Sequence, residues 1–170
     1  MHKKIAFIHL QCNAKSIMTQ SVAQSVVVFT LEELWFALSL AAVERVIGAV
    51  EVVPLPEAPL GVSGVINLQG KVVPVFDLRQ RFGLPSRGIK LSDHLIIAHT
   101  QWRIVALIVD AVAGVVPQNE VQLTPASEIL PDLECVSGVI KLDGNLIFVH
   151  DLEKFLSIED HEALQLALNL

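Results

Sequence analysis

The chain has 170 residues, of which 52% are hydrophobic and 18% charged, and a net charge of −6, so it encodes one domain or two small ones that share a core. The acidic balance disfavours nucleic acid as a partner, because phosphate backbones are bound by basic surfaces. No uninterrupted apolar run reaches the roughly 18 residues of a transmembrane helix, so no segment is expected to insert into a membrane.

Residues 1–20 come first, and we expect them to form a disordered extension. Their apolar stretch, Ile5–Leu10, is shorter than the roughly 7 to 15 residues of a secretory signal core. The sequence therefore favours a cytoplasmic protein.

Aliphatic residues dominate the rest of the chain, whereas aromatic residues make up only 5% of it. Val and Ile fit the half-buried surface of a sheet, so a mainly β fold is predicted. In the first half, apolar runs predict two strands over Val26–Leu40, a short strand over Val46–Val52 and a hairpin over Gly64–Phe76. Asp77 follows as the N-cap of a short helix.

The second half of the chain repeats the first. At an offset of 74, residues 135–156 share ten identical residues with residues 61–82. A second match, at an offset of 69, aligns Ala37–Val43 with Ala106–Val112. This duplication predicts five short strands in each half, and five strands close naturally into a small barrel.

The elements of the second half follow a polar linker over Pro85–Asp93. Two strands are predicted over Leu95–Val109 and a third over Val115–Leu123, before the repeated hairpin. Residues 158–170 are predicted to form a C-terminal helix. The apolar face of that helix contains Leu164, Ala167 and Leu168.

The repeated hairpin carries a family resemblance. Gly64 to Arg79 reads Gly-Val-Ile-Asn-Leu-Gln-Gly-Lys-Val-Val-Pro-Val-Phe-Asp-Leu-Arg, which is similar to the CheW signature G-V-x-N-L-R-G-x-x-V-P-V-x-D-L-R. Val109-Asp-Ala-Val112 resembles that family's V-D-x-V pattern. The resemblance implies a CheW-like domain over residues 21–157, with two intertwined SH3-like five-stranded barrels at about 21–84 and 92–157.

The same resemblance implies a function and a set of contact residues. CheW proteins are non-enzymatic adaptors that need no cofactor and couple the cytoplasmic tips of methyl-accepting chemoreceptors to the regulatory domain of a CheA-type histidine kinase. The residues at the family's partner-contacting positions are Val43, Glu44, Arg45, Val46, Asn67, Gln69 and Lys71.

Two of these residues depart from the family pattern. Arg45 stands where the family usually has the acidic residue of V-x-E-[IV], and Gln69 stands where N-L-R-G has arginine. An amide does not replace the planar donors of a guanidinium. We therefore expect an altered choice of partners, as in a specialised system that drives pilus-based motility or another output.

Enzyme and metal sites are disfavoured by their residue contexts. Asp77 and Asp151 are each followed by Leu, not by the Thr/Ser-Gly of an aspartic protease, so they are interpreted as helix caps. Gly61–Lys71 lacks the Gly-Lys-Ser/Thr ending of a phosphate-binding loop. The histidines show no metal-ligand spacing. They include His94, His99, His150 and His161.

One alternative function remains open, a stand-alone regulatory or small-ligand-binding barrel outside a receptor array. Such a site needs a few convergent polar groups in an apolar pocket, and the sequence shows no such constellation. Trp35 and Trp102 lie near predicted hairpin tips, where a tryptophan fits either core packing or the anchoring of a partner.

Overall fold

The structure, a computed structural model, describes residues 24–129, 135–156 and 158–168. The predicted extension at residues 1–20 lies outside these ranges. Among the helices that they contain, none has the length and apolar character needed to cross a bilayer.

The described residues confirm a mainly β fold. The strands are β1 (Val26–Leu31), β2 (Leu34–Ser39), β3 (Val43–Gly48), β4 (Val62–Leu68), β5 (Lys71–Asp77), β6 (His94–His99), β7 (Ile104–Val109), β8 (Ala111–Val116), β9 (Leu123–Pro125), β10 (Val136–Leu142) and β11 (Asn145–His150). The helices are α1 (Leu78–Arg81), α2 (Ala126–Ile129), α3 (Leu152–Phe155) and α4 (Ile158–Leu168).

The strands form two SH3-like barrels, which we call the first and second sheets. The first sheet has six strands in the order β8-β1-β2-β11-β10-β9, and the second has five in the order β3-β6-β7-β5-β4. Five strands were expected in each. The first sheet has one more because the short strand β9 pairs with β10, whereas the equivalent loop of the first half makes only an isolated bridge, between Val53 and Val65.

The two halves of the chain exchange hairpins. The β1–β2 hairpin of the first half lies between β8 and β11 of the second half, and the β6–β7 hairpin of the second half lies between β3 and β5 of the first. The junctions are equivalent, because β2 pairs parallel to β11 and β7 pairs parallel to β5. Each sheet therefore contains strands from both of the predicted subdomains, 21–84 and 92–157, whose boundaries stay a prediction.

The third strand of each half begins earlier than predicted. β3 covers Val43–Gly48, not Val46–Val52, and β8 covers Ala111–Val116, not Val115–Leu123. Long-range pairing sets these bounds, because β3 pairs with β6 and β8 pairs with β1.

Among the described residues, three apolar clusters hold the fold together. One contains only residues of the first sheet and its connections, such as Val28 and Ile147, and one contains only residues of the second, such as Ile66 and Ile97. The third, which we call the shared core, includes Phe36 of the first sheet and Ile96 of the second. The exchanged hairpins contribute alternate residues to two clusters, which explains their unbroken apolar runs.

Both predicted helix caps are present. The side chain of Asp77 accepts a hydrogen bond from the Arg79 backbone N–H at 2.9 Å. The side chain of Asp151 accepts from the N–H groups of Glu153 and Lys154, at 3.0 and 3.4 Å. Each aspartate thus satisfies backbone donors that a helix leaves unpaired in its first turn.

Replacing Asp151 with alanine should lower the free energy of unfolding by about 1 kcal/mol, because the cap acceptor is lost. Asp151→Asn is the matched control, since asparagine caps helices about as well as aspartate does. Chemical denaturation of the three proteins measures the difference. Equal stability of the alanine variant and the wild type would show that the cap contributes nothing.

Candidate functional site: an exposed edge-strand surface

The predicted contact residues form two exposed groups at one end of the second sheet. One group lies on β3 and the other on the β4–β5 hairpin, and β3 and β4 are the two edge strands of the sheet. β3 and β5 run in the same direction, because β6 is antiparallel to both β3 and β7, and β5 is parallel to β7. The first residues of β3 and β5, Val43 and Lys71, therefore share an end. We call these two groups together the edge-strand surface.

A β-bulge shapes the β3 part of this surface. The register between β3 and β6 shifts between Val43 and Arg45, which places Glu44 at the bulge. Val43 stays half-buried and packs against the shared core, whereas Glu44, Arg45 and Val46 are exposed. Bulges often re-aim side chains at functional positions on sheet edges. This bulge sends two consecutive charged side chains to solvent.

The Glu44 carboxylate binds two basic side chains. Arg45 Nε donates to Glu44 Oε1 at 3.0 Å, and His99 Nε2 lies 2.9 Å from Glu44 Oε2. The hydrogen bond from Arg45 holds the pKa of Glu44 below its ordinary value. Arg45 therefore does not simply reverse the charge of this edge, because Glu44 next to it offsets the added cation.

The hairpin part of the surface is built on a tight turn. Gln69 and Gly70 both have positive φ angles, of 53° and 84°, as a two-residue turn of type I′ requires. The Asn67 side chain accepts a hydrogen bond from the Gly70 N–H at 2.8 Å and so closes the turn. Asn67 thus has a structural role in addition to its exposed position, while Gln69 and Lys71 are exposed.

One apolar residue of this surface, Val72, is not among the contact residues predicted from the sequence. Val72 is 62% exposed and lies directly across the strand pair from Asn67. It begins the apolar run Val72–Phe76, in which no residue type marks it as exposed, and the structure shows that the first two residues of β5 are exposed while the rest are buried. Large apolar groups surrounded by polar ones are typical of protein contact sites. Leu146, its equivalent in the second half, is also exposed, at 57%.

Several aspartates, histidines and tryptophans outside this surface have contacts of their own. Asp77 and Asp151 cap separate helices. His150 is buried among phenylalanine rings, and His161 stacks on Trp102 with ring centroids 4.8 Å apart. Trp35 packs against the cluster of the first sheet, while Trp102 remains 48% exposed. Within the described ranges, no three potential ligand side chains cluster as a metal site would require.

A polar cleft of about 420 Å³ lies at the opposite end of the second sheet, beneath the predicted linker. Its arginines are bound by carboxylates of the chain itself. Arg87 forms a bidentate pair with Asp93, with both N–O distances 2.8 Å, and its hydrogen bonds lower the pKa of Asp93. Arg79 binds Glu32 at 2.9 Å and also pairs with Asp110. The Arg79–Glu32 pair fastens the tip of the exchanged β1–β2 hairpin to α1, and the Arg87–Asp93 pair closes the linker on itself, so the cleft is better explained as a structural junction than as a ligand site.

The chain is similar to known chemotaxis proteins over most of its length. The CheW-like domain family matches residues 25–160. The chemotaxis protein CheW of Rhizobium meliloti is 30% identical over 142 residues, which cover 82% of this chain and 92% of that protein. The chemotaxis protein CheW of Thermotoga maritima is 32% identical over 130 residues, which cover 75% of this chain and 84% of that protein.

A solved structure agrees with the fold. The crystal structure of the scaffolding protein TtCheW from Thermoanaerobacter tengcongensis superposes with a TM-score of 0.69 at 33% identity. The match covers 81% of this chain and 95% of that one. The two-sheet architecture is therefore present almost completely in a scaffolding protein.

Proposed function

This chain belongs to the CheW family, and from that membership we propose that it is a non-enzymatic cytoplasmic adaptor that couples chemoreceptors to a CheA-type histidine kinase. The observation that carries the proposal is the family match over residues 25–160, which spans both sheets and the edge-strand surface. The named relatives are chemotaxis proteins, and the solved one is described as a scaffolding protein.

We assign the partner contacts to the edge-strand surface, in each of whose two groups an exposed valine lies next to exposed polar residues. Val46 and Val72, 38% and 62% exposed, supply apolar area, and Arg45, Gln69 and Lys71 supply polar groups around them. An apolar centre with a polar rim is the usual composition of protein interfaces. The proposed partners are the regulatory domain of the kinase and the cytoplasmic tip of a chemoreceptor.

Reversing the charge of Arg45 with Arg45→Glu should change the affinity for the cognate partner several-fold. The substitution removes the group that hydrogen-bonds Glu44 and places two carboxylates next to each other on the exposed edge. Charges at an interface rim tune association and partner choice. Thermal stability should stay nearly unchanged, because exposed substitutions usually shift it by less than about 0.5 kcal/mol. Gln69→Arg, which restores the family's guanidinium, should also alter affinity.

Lys90→Glu is the control for Arg45→Glu. It makes the same change in charge on an exposed residue of the linker, at the opposite end of the second sheet. Titration calorimetry against the kinase regulatory domain and a chemoreceptor fragment measures all three variants. If Arg45→Glu and Gln69→Arg bind both partners as the wild type does, the edge-strand surface is not the contact site. If the wild type binds neither partner, the adaptor function itself is wrong.

A further inference from the structure

The C-terminal helix α4 extends beyond the family-matched part of the chain. The match ends at residue 160, whereas α4 covers Ile158–Leu168. Even so, α4 packs into the core shared by the two sheets, because Leu164 is only 2% exposed and belongs to that cluster. Ala167 is buried as well. The helix therefore covers a core surface that is built by the matched residues.

The surface beneath α4 is an apolar groove with contributions from both halves of the chain. Phe76 of β5, Val105 of β7 and Leu156, which follows α3, line it opposite Leu164. A void of about 10 Å³ remains between the helix and the groove. The helix therefore fills the groove almost completely.

Three side chains along one side of α4 tether it to the rim of the groove. Asp160 forms an ion pair with Arg81 of α1 at 2.5 Å, His161 stacks on Trp102 at 4.8 Å, and Gln165 accepts a hydrogen bond from Arg103 at 3.1 Å. Together with Leu164 these positions recur with the spacing of a helix face. The groove and its rim thus contact a carboxylate, an imidazole ring, a leucine and an amide on consecutive turns of α4.

The described side chains of α4 contact the rest of the protein through one face only. Leu166 points away from the protein and is 76% exposed, and Glu162 is exposed too. The central strands β5 and β7, by contrast, each pair with a neighbour on both sides, and most of their residues are buried. Elements with few buried contacts open at lower free energy than the core does. Opening of α4 leaves all of the strand pairing intact.

We propose that α4 is an intramolecular cover over a helix-binding groove, and that an amphipathic partner helix binds there when α4 detaches. The partner helix would carry a carboxylate one turn before a leucine, as Asp160 and Leu164 do. That α4 detaches is inferred from the structure of this chain alone, whereas the identity of the partner rests on the adaptor function proposed above. Since α4 is tethered, it competes at an effective concentration of about millimolar, so it lowers partner affinity until it is displaced.

The test compares Leu164→Ala with Leu166→Ala, two leucine truncations on one helix with opposite burial. Hydrogen exchange should show that α4 of the wild type opens more readily than the central strands β5 and β7. Leu164→Ala should remove the protection of α4 and leave that of β5 and β7 unchanged, and Leu166→Ala should change neither. Protection of α4 equal to that of β5 and β7 in the wild type would overturn the proposal, because the helix would then open only with the whole fold.

A helix supplied in trans tests the groove directly. The probe is a synthetic peptide of residues 158–168, cross-linked to hold its helix because free helices of this length are marginal in water. It should shift the methyl signals of Val105 and Leu156 in Leu164→Ala, and not in the wild type or Leu166→Ala. No shift in Leu164→Ala overturns the helix-binding groove. Neither the hydrogen-exchange experiment nor the peptide experiment uses a kinase or receptor. A failure of the proposed adaptor function would therefore be seen separately, in the calorimetric titrations of the wild type.

Discussion

Placing a methyl group on Gly64 or Gly138 is expected to destabilise the protein by more than about 2 kcal/mol in each case, because overpacking at a rigid contact costs this much. An alanine Cβ at Gly138 would lie 2.5 Å from the carbonyl oxygen of Thr124, and one at Gly64 would lie 2.2 Å from that of Val53. Both neighbours are backbone atoms, which cannot rotate away. Gly64 also has a φ of 151°, which side chains rarely adopt.

The two glycines occupy equivalent positions in the repeat and serve the same purpose. Each lets a neighbouring segment approach the repeated hairpin, which forms β9 beside β10 and an isolated bridge beside β4. Gly48→Ala is the matched control, because its Cβ would meet nothing within 4 Å and no positive φ constrains it. Urea denaturation should separate the variants clearly. A Gly138→Ala protein as stable as Gly48→Ala would mean that β9 is free to move away.

Acid should weaken the fold through His150. Its ring lies among Phe36, Phe82 and Phe155, with centroid distances of 5.5, 4.9 and 6.4 Å, and Nδ1 is 3.2 Å from the Phe148 carbonyl oxygen. Burial in this aromatic cluster lowers the pKa of His150 from 6.5 to about 4. Between about pH 4 and pH 6.5, the unfolded chain therefore binds a proton at His150 that the folded protein does not bind.

The sign of the effect follows from this difference. Well above pH 6.5 the histidine is neutral in both states and has no effect on the pH dependence of stability. As the pH falls from 6.5 towards 4, the unfolded chain gains a proton and the folded one does not, so stability decreases. The full loss is about 3 kcal/mol, since each pKa unit corresponds to about 1.4 kcal/mol.

His150→Phe should remove this part of the acid sensitivity. The repeat itself suggests the substitution, because Phe76 occupies the equivalent position and is 1% exposed. His150→Leu is a second variant, for the case that phenylalanine packs poorly. Free energies of unfolding measured between pH 7 and pH 4 give a slope for each protein, and a fixed packing cost does not change a slope. Identical slopes in the wild type and both variants would show that His150 takes up its proton without resistance.

Local features of the fold could be predicted from the sequence because they depend on neighbouring residues. The hairpin turn at Gly70, the caps at Asp77 and Asp151, and the buried face of α4 all follow from short patterns. The exchange of hairpins could not be predicted in this way. Two copies of one unit carry nearly the same strand patterns, so nothing local states which copy's hairpin completes which sheet.

The same limit applies to the candidate site. Exposure of Gln69 followed from its turn, and exposure of Arg45 followed from its charge. The contact between Glu44 and His99 depends on the pairing of β3 with β6, which are distant in the chain. The exposure of Val72 depends on its place at an open end of the sheet. These are properties of the assembled sheet and not of any segment.

Hairpin exchange also determines when the protein can fold during its synthesis. The β1–β2 hairpin ends at Ser39, but its neighbour β11 ends only at His150, so about 110 residues must be translated in between. At roughly 5 to 20 residues per second, the wait is about 5 to 20 seconds. Throughout that time the apolar β1–β2 hairpin is without β11, one of the two strands that pair with it. The β6–β7 hairpin, in contrast, finds β3 and β5 already made, so the nascent chain should complete its second sheet first and leave the first sheet incomplete until translation is almost finished.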